Sequence, residues 1–566
     1  MIEEERVNGP VSWFPGAYGD AVERRRKWLK DEKVVERIWR RDHTVWSPEP
    51  DEITNRLGWL HVAEAMTGKV QRLTDLAGEI SIEGFRHVIL LGMGGSSLAP
   101  EVFGSVFGRR SGHPDLTVLD STVPGAVSAC ARRSDPARVL FVVATKSGTT
   151  VETLSFFRFF HNRLIDALGR EEAGKHFIAI TDPGSPLADL ADRYRFRDTF
   201  LNDPNIGGRY SALSYFGLVP AALIGLDLRS LLDRAATGAS DSESPTGGAA
   251  ALGAILGELA LGRNKMTLVT SPGLEPFGNW VEQLVAESTG KDGKGILPIV
   301  GEPLGSPDLY GNDRLFVHLR LTDDTNADER LSDLKKAGFP VITIPVADRY
   351  DLGGQFFLWE MATAIAGWCL EINPFDQPDV ESAKALARQM VDDYRKEGVL
   401  IREKPTSING DIRVFDGPSS WEPGESLISF IEHGMTDGAY IAIQAYLQPG
   451  PDSDEALETL RLRLRDRFRV AVTVGYGPRF LHSTGQLHKG DAGKGLFVQI
   501  TADDVEDVPV PDNPGSPGSS ITFGILKDAQ AAGDRQALHN AGRRVIRFHL
   551  KGDSVADLLR LAESLA

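Results

Sequence analysis

Residues 139–154, VLFVVATKSGTTVETL, constrain this chain more than any other stretch. The apolar run 140–143 predicts a buried strand, and TKSGTT predicts a turn opening a helix whose apolar face carries Leu154, Phe157 and Ile165. Such a turn suits an anion. Thr145, Ser147, Thr149 and Thr150 offer hydroxyl donors, Gly148 lets the backbone come close, and the new helix turns unpaired amides and its positive dipole end outward. A phosphate is the simplest guest. The G-x-x-x-x-G-K-[ST] spacing of a nucleotide P-loop is absent, because Lys146 precedes the glycine. A plain N-capped strand-to-helix loop is spelled with the same letters.

The same grammar recurs on both sides. HVILLGMGGSSLAPEVF reads as a strand ending in Gly92, Gly94, Gly95, Ser96 and Ser97, then a helix. Its spacing is G-x-G-G rather than the dinucleotide G-x-G-x-x-G. HFIAITDPGSPLADLADRY is a further strand whose loop, 182–185, precedes a helix. Strands alternating with helices predict a doubly wound parallel sheet whose polar turns converge at the carboxyl edge. In NDPNIGGRYSALSYFGL, Arg209 follows Gly207 and Gly208, so its guanidinium either reaches a ligand over bare backbone or pairs with a carboxylate. The Ser/Gly/acid-rich run 238–248 reads as a linker or loop, after which a second alternation begins at KMTLVTS and ends in helices at 354–370 and 378–396. A third α/β unit follows from about 407, with a Pro/Gly-rich loop at 508–519 that suits a lid or a long connection.

A chain of 566 residues has room for three or four such units. Its formal charge of -17 argues against nucleic-acid or anionic-membrane binding. The 2 cysteines, Cys130 and Cys369, are too few for a disulfide framework and favour a reducing compartment. The opening MIEEERVNGP does not resemble a signal peptide, and a cytoplasmic protein is expected. Residues 16–77 read as a helical packing prelude in which His43 and His61 are structural.

Two charged residues sit at the margins of apolar stripes. On the helix beginning at Glu275 the stripe is Phe277, Trp280, Val281 and Leu284, and Glu287 lies at its edge in the last turn. A half-desolvated carboxylate at a negative helix end should have a raised pKa, suited to a base. Lys384 lies beside the stripe of Val380, Ala383, Ala387, Val391 and Tyr394.

Taken in order, GMGGSS, TKSGTTVET, GGRYSALS, EQLVAESTGK, PIVGEP and NPFDQPDVESAK resemble the phosphoglucose isomerase family, whose halves are sugar isomerase domains. DHTVWSPEP and the C-terminal region further resemble the isomerase half of transaldolase/phosphoglucose isomerase fusions, although no transaldolase half is present. The resemblance implies an α/β fold with two doubly wound parallel-sheet sugar isomerase domains. The expected divisions are a helical segment 1–78, domains 79–250 and 251–398, and an additional α/β unit 399–566. It implies reversible isomerisation of glucose 6-phosphate and fructose 6-phosphate through a cis-enediol, with no metal or redox cofactor. The expected partner is a small sugar phosphate, with no nucleic acid and no membrane, and the chain is a homodimer or a monomer. Another sugar, such as mannose 6-phosphate, or a non-catalytic sugar phosphate sensor are the alternatives.

By the same resemblance, Ser96, Thr145, Ser147 and Thr150 bind phosphate, with Lys146 supplying mainly backbone and field. Gly94, Gly95, Gly208, Gln283 and Gln377 contact substrate, Glu287 is the base, Arg209 stabilises the enediolate, and Lys384 helps open the sugar ring. One piece departs from the pattern. The family's ring-opening histidine after GEP is missing from YGNDRL, where Asp313 stands in its place, and His318 falls in a strand. VAVTVGYGPRFLHSTGQLHKG offers replacements, His488 first and His482 second.

Overall fold

Runs such as 88–91 and 140–143 are apolar at every position, so a strand built from them must be covered on both faces. The computed structural model describes residues 5–6, 11–133, 135–400, 403–418 and 422–565 and shows that arrangement. The strands His87–Gly92, Asp115–Leu119, Val139–Ala144, Phe177–Thr181 and Asp198–Leu201 form an all-parallel sheet with Asp115–Leu119 and Asp198–Leu201 at its edges. His87–Gly92 and Val139–Ala144 lie side by side although Asp115–Leu119 intervenes in sequence. Strand order reverses there, and the loops leaving these two strands, GMGGSS and TKSGTT, flank the crevice such a reversal creates.

The second sheet runs Val341–Val346, Arg314–Leu321, Lys265–Thr270, Leu297–Val300, all parallel. It gains an antiparallel strand, Ser12–Phe14, against Val341–Val346. The N-terminal segment is therefore not only a helical prelude: ahead of the helices Gly19–Asp31, Val34–Trp39, Val62–Thr67 and Val70–Ile82 it caps a sheet edge. The opening MIEEERVNGP lies outside the described residues except for the Glu5–Arg6 backbone. One apolar core joins these helices to both sheets, from Trp13 through Leu90 and Val142 to Ile344.

The run 238–248 is a tight corner rather than a linker. The helix Leu228–Asp241 extends into it and Gly248–Leu259 leaves it. Its small residues serve a helix crossing: a Cβ on Gly238 would stand 2.8 Å from the Gly354 Cα in the helix Leu352–Cys369.

The third unit carries a mixed sheet with strand order Ser407–Asn409, Ile412–Phe415, Arg544–Leu550, Gly495–Ala502, Tyr440–Tyr446, Ala471–Tyr476. One face has its own core with the helices Pro423–Gly434, Pro451–Phe468 and Ser554–Glu563. On the other, Tyr440, Ala442, Phe497 and Val545 cluster with Ala286, Leu297 and Ile299 of the second sheet's layer. Loop 508–519 is a strap. Asn162 donates to Ser516 O and accepts from the Gly515 amide, and Phe523 stacks on Phe156 at 5.7 Å. This explains why the helix Val151–Leu168 buries Phe156, Phe157, Phe160 and Leu164, a wider face than the expected stripe, with Leu154 and Ile165 only half-buried. Among the described residues no helix is long and apolar enough to cross a membrane.

His318 lies inside the strand Arg314–Leu321 and is 2% exposed. Burial, helped by the Arg320 charge, lowers its pKa to about 4. An unfolded histidine titrates near ~6.5, so the stability this site contributes is present above that pH and lost as pH falls toward its folded value. We expect the melting temperature of a His318→Leu variant to fall less steeply than that of the parent between these limits. Parallel curves would remove His318 from the acid response.

Candidate active site

The two anion-competent turns are built differently. In GMGGSS, Gly94 takes φ +55°, where a Cβ would stand 2.7 Å from the His482 carbonyl oxygen and 2.9 Å from Gln283 Nε2. Gly95 faces Gly208, and a Cβ there would lie 2.1 Å from the Gly208 oxygen. Only glycine permits these two backbones to touch. Gly95→Ala should therefore push the turn carrying Ser96 away from the turn carrying Arg209. A loss of sugar phosphate turnover of tenfold or more, about 1.4 kcal/mol, with a smaller proportional effect on melting temperature, is the expected outcome. Wild-type kinetics would show that the contact is dispensable.

In TKSGTT the hydroxyls pair among themselves, Thr145 with Thr150 at 2.7 Å and Ser147 with Thr149 at 2.9 Å. Neither Ser97 nor Thr150 caps the helix it precedes, so the first-turn amides of Leu98–Phe107 and Val151–Leu168 are left to other partners. Lys146 Nζ is committed to Asp182 and to the Pro204 carbonyl, which leaves the turn its backbone and its field.

Glu287 sits in the last turn of the helix Glu275–Thr289, which is buried on nearly every side because the third unit covers the face that the expected stripe leaves open. Its Oε1 lies 3.3 Å from Arg209 Nη1, and its Oε2 accepts from Gln283 Nε2 at 3.1 Å. The carboxylate thus meets a guanidinium rather than bare helix-end carbonyls. Arg209 is 4% exposed and fully engaged. It donates to Ser288 Oγ at 2.8 Å, Gln377 Oε1 at 2.9 Å, Pro374 O at 2.7 Å and Asp376 O at 2.9 Å. Beneath it Lys291 Nζ holds the Asp376 carboxylate at 2.6 Å and the Asn373 carbonyl at 2.7 Å. Burial, with the Arg209 charge beside it, pushes the Lys291 amine down to about 8 against the pull of Asp376. Lys384, on Val380–Glu397, pairs with Glu381 at 2.9 Å.

Comparison with known proteins gives this arrangement relatives. Residues 61–292 match the family model for phosphoglucose isomerase. Over this stretch the chain is similar to phosphoglucose isomerases. It is 27% identical over 419 residues to a glucose-6-phosphate isomerase of Carboxydothermus hydrogenoformans, covering 62% of this chain and 89% of that one. It is 33% identical over 295 residues to a glucose-6-phosphate isomerase of Bacillus cytotoxicus, covering 43% and 63%. A hypothetical protein of Thermus thermophilus aligns in structure with a TM-score of 0.57 and 26% identity, over 66% of this chain and 97% of that chain. A glucose-6-phosphate isomerase of Chlamydia trachomatis shares the fold, with a TM-score of 0.56 at 18% identity, over 68% and 88%.

The two candidate histidines lie in different surroundings. The His488 ring is turned into the third unit, 5.1 Å from the Phe497 ring and with Nδ1 3.4 Å from the Gln444 amide. Burial, then the charges of Lys489 and Arg543, drives its pKa well below the ordinary range. His482 instead stands at the crevice. Its carbonyl accepts from Gln283 Nε2 at 2.6 Å, and its Nε2 is 3.0 Å from Glu152 Oε1. The histidine of the G-Q-x-H echo faces away from the crevice because the third unit folds residues 485–490 as a helix with His488 inward, and leaves 479–482 as the turn that reaches the other units. Asp313 is not at the crevice either, since it pairs with the buried Lys265 at 3.5 Å.

Glu152 had no assigned role in the sequence, although it stands in TKSGTTVET. A glutamate in a helix's first turn ordinarily complements the dipole from the surface, whereas this one is 6% exposed. Burial alone would raise its pKa, but the charge of His482 and its hydrogen bond, with Lys384 behind them, hold the carboxyl below the usual value. Lys291, the last letter of EQLVAESTGK, likewise gives no local sign in the sequence that it is buried.

Proposed function

We propose that this chain is a glucose-6-phosphate isomerase, interconverting glucose 6-phosphate and fructose 6-phosphate through a cis-enediol. The observation that carries the reading is the convergence of the Glu287 carboxylate, Arg209, Gln283 and the Gly94–His482 contact beside two hydroxyl-lined turns. Ser96, Thr145, Ser147 and Thr150, with first-turn amides, take the phosphate. Binding energy from that non-reacting end then holds carbons 1 and 2 near Glu287.

Ring opening comes first. The anomeric hydroxyl gives up its proton and the ring oxygen gains one as the C–O bond breaks, with His482 and Lys384 as the exchanging groups. Glu287 next removes the proton from carbon 1 or carbon 2 and returns it to the other. Arg209 faces the oxygen that gains charge, a contribution whose loss is of order 3 to 4 kcal/mol in comparable sites. Gln377 holds Arg209 Nη1 in place, and the bare Cα of Gly95 lets its turn reach the Gly208 carbonyl.

The divisions 79–250, 251–398 and 399–566 are kept as the functional units, with 1–78 shared between the sheets. One chain carries all of these groups, so an active monomer is as compatible with the reading as a homodimer, and the 2 cysteines favour the cytoplasm. The test is turnover of fructose 6-phosphate, followed by coupled detection of glucose 6-phosphate, with mannose 6-phosphate assayed beside it. Faster turnover of mannose 6-phosphate would move the assignment to that sugar, and binding without turnover would make the protein a sensor.

A further inference from the structure

The Glu152 carboxylate has a second partner from the third unit. Gln530, on the helix Phe523–Asn540, donates its amide to Glu152 Oε1 at 2.7 Å, while its own Oε1 accepts from Thr122 Oγ1 at 2.8 Å. Gln530 is 4% exposed and Thr122 is buried completely. An ionised carboxylate only accepts, so it must face the Gln530 amino group, and the Thr122 hydroxyl then donates to the other end of the amide. A matching clamp holds the turn that bears His482. Arg479 Nη1 donates to Glu101 Oε1 at 3.1 Å, Arg479 Nε is 3.4 Å from Asp120 Oδ2, and Asp120 accepts from Ser97 Oγ at 3.1 Å. The third unit therefore grips Glu152 from one side and delivers His482 from the other.

We propose that Gln530 is a positioning residue for the ring-opening step: its amide holds the Glu152 carboxylate in the orientation that keeps the His482 ring turned with Nδ1 toward the sugar. This rests on the isomerase reading above. A buried carboxylate with only one donor is free to rotate and is easier to protonate, and either change loosens the histidine. With the Gln530 donor in place, Glu152 stays ionised and accepts from His482 Nε2, which leaves Nδ1 to meet the anomeric hydroxyl. Catalytic contact belongs to His482, and Gln530 acts through Glu152.

The test compares wild type, Glu287→Gln, Gln530→Leu and Thr122→Val in steady-state turnover of fructose 6-phosphate across pH, with binding of the acyclic sorbitol 6-phosphate as a control. We expect Gln530→Leu to lower kcat about tenfold with KM nearly unchanged, to shift the acidic limb of the pH profile upward, and to leave sorbitol 6-phosphate affinity intact. Thr122→Val should move the same quantities in the same direction by a smaller factor, and it serves if Gln530→Leu does not fold. Wild-type kcat and pH profile in both variants would overturn the proposal, as would a loss that is equal at every pH and tracks melting temperature. If wild type turns over while Glu287→Gln does not, such a failure falls on Gln530 alone. If wild type itself fails to turn over, the isomerase reading fails and this one with it.

Discussion

Glu287→Gln is expected to lower isomerisation of fructose 6-phosphate by ~10²- to 10⁴-fold, the range a positioned general base contributes, while sorbitol 6-phosphate binding stays near wild type. The substitution is close to isosteric. The amide oxygen can still accept from one of the two donors, Gln283 or Arg209, which stand 3.1 Å and 3.3 Å from the native carboxylate, so the shape of the crevice is kept while the basicity and one hydrogen bond are removed. The turns proposed to take the phosphate belong to the first sheet and do not depend on that charge. The kcat/KM of the purified variant, beside its affinity for sorbitol 6-phosphate by calorimetry, checks both halves. Activity within tenfold of wild type would move the base elsewhere.

His482→Asn is the second large effect. It removes the group that faces Glu152 at 3.0 Å and should slow turnover of the closed-ring sugar by ~10²-fold or more, as general acid–base groups do. His488→Asn is the contrast. Its ring is packed against Phe497 and Phe480, so the change should lower the melting temperature yet leave kcat per folded molecule close to wild type. Equal kcat losses in both variants, or a loss only in His488→Asn, would restore the order suggested by the letters G-Q-x-H.

Much of the frame is legible in the chain because its signals are local. An apolar run followed by a glycine- or hydroxyl-rich turn and an amphipathic helix specifies a buried parallel strand and the edge on which its loop opens, and 87–107 and 139–168 follow that rule. Glu287 and Lys384 were recognisable as charges beside apolar stripes for the same reason. What was not legible depends on partners far apart in sequence. Glu152 looks like an ordinary first-turn acid until His482, 330 positions later, and Gln530, 378 positions later, arrive against it. The open face of the Glu275–Thr289 helix looks solvated until the third unit covers it through Leu487 and Phe497. The loop 508–519 has a lid's composition, and only its bonds to Asn162 and the stacking of Phe523 make it a strap. Local periodicity records which face of an element is apolar, but it holds no information on which distant polar group is brought to that face.

The most direct measurement of the central claim is a crystal soaked with fructose 6-phosphate. The account predicts the phosphate among Ser96, Thr145, Ser147 and Thr150, carbons 1 and 2 over the Glu287 carboxylate, and His482 at the anomeric hydroxyl. A phosphate bound elsewhere, or a Glu287 side chain turned away from the sugar carbons with the ligand seated, would contradict it.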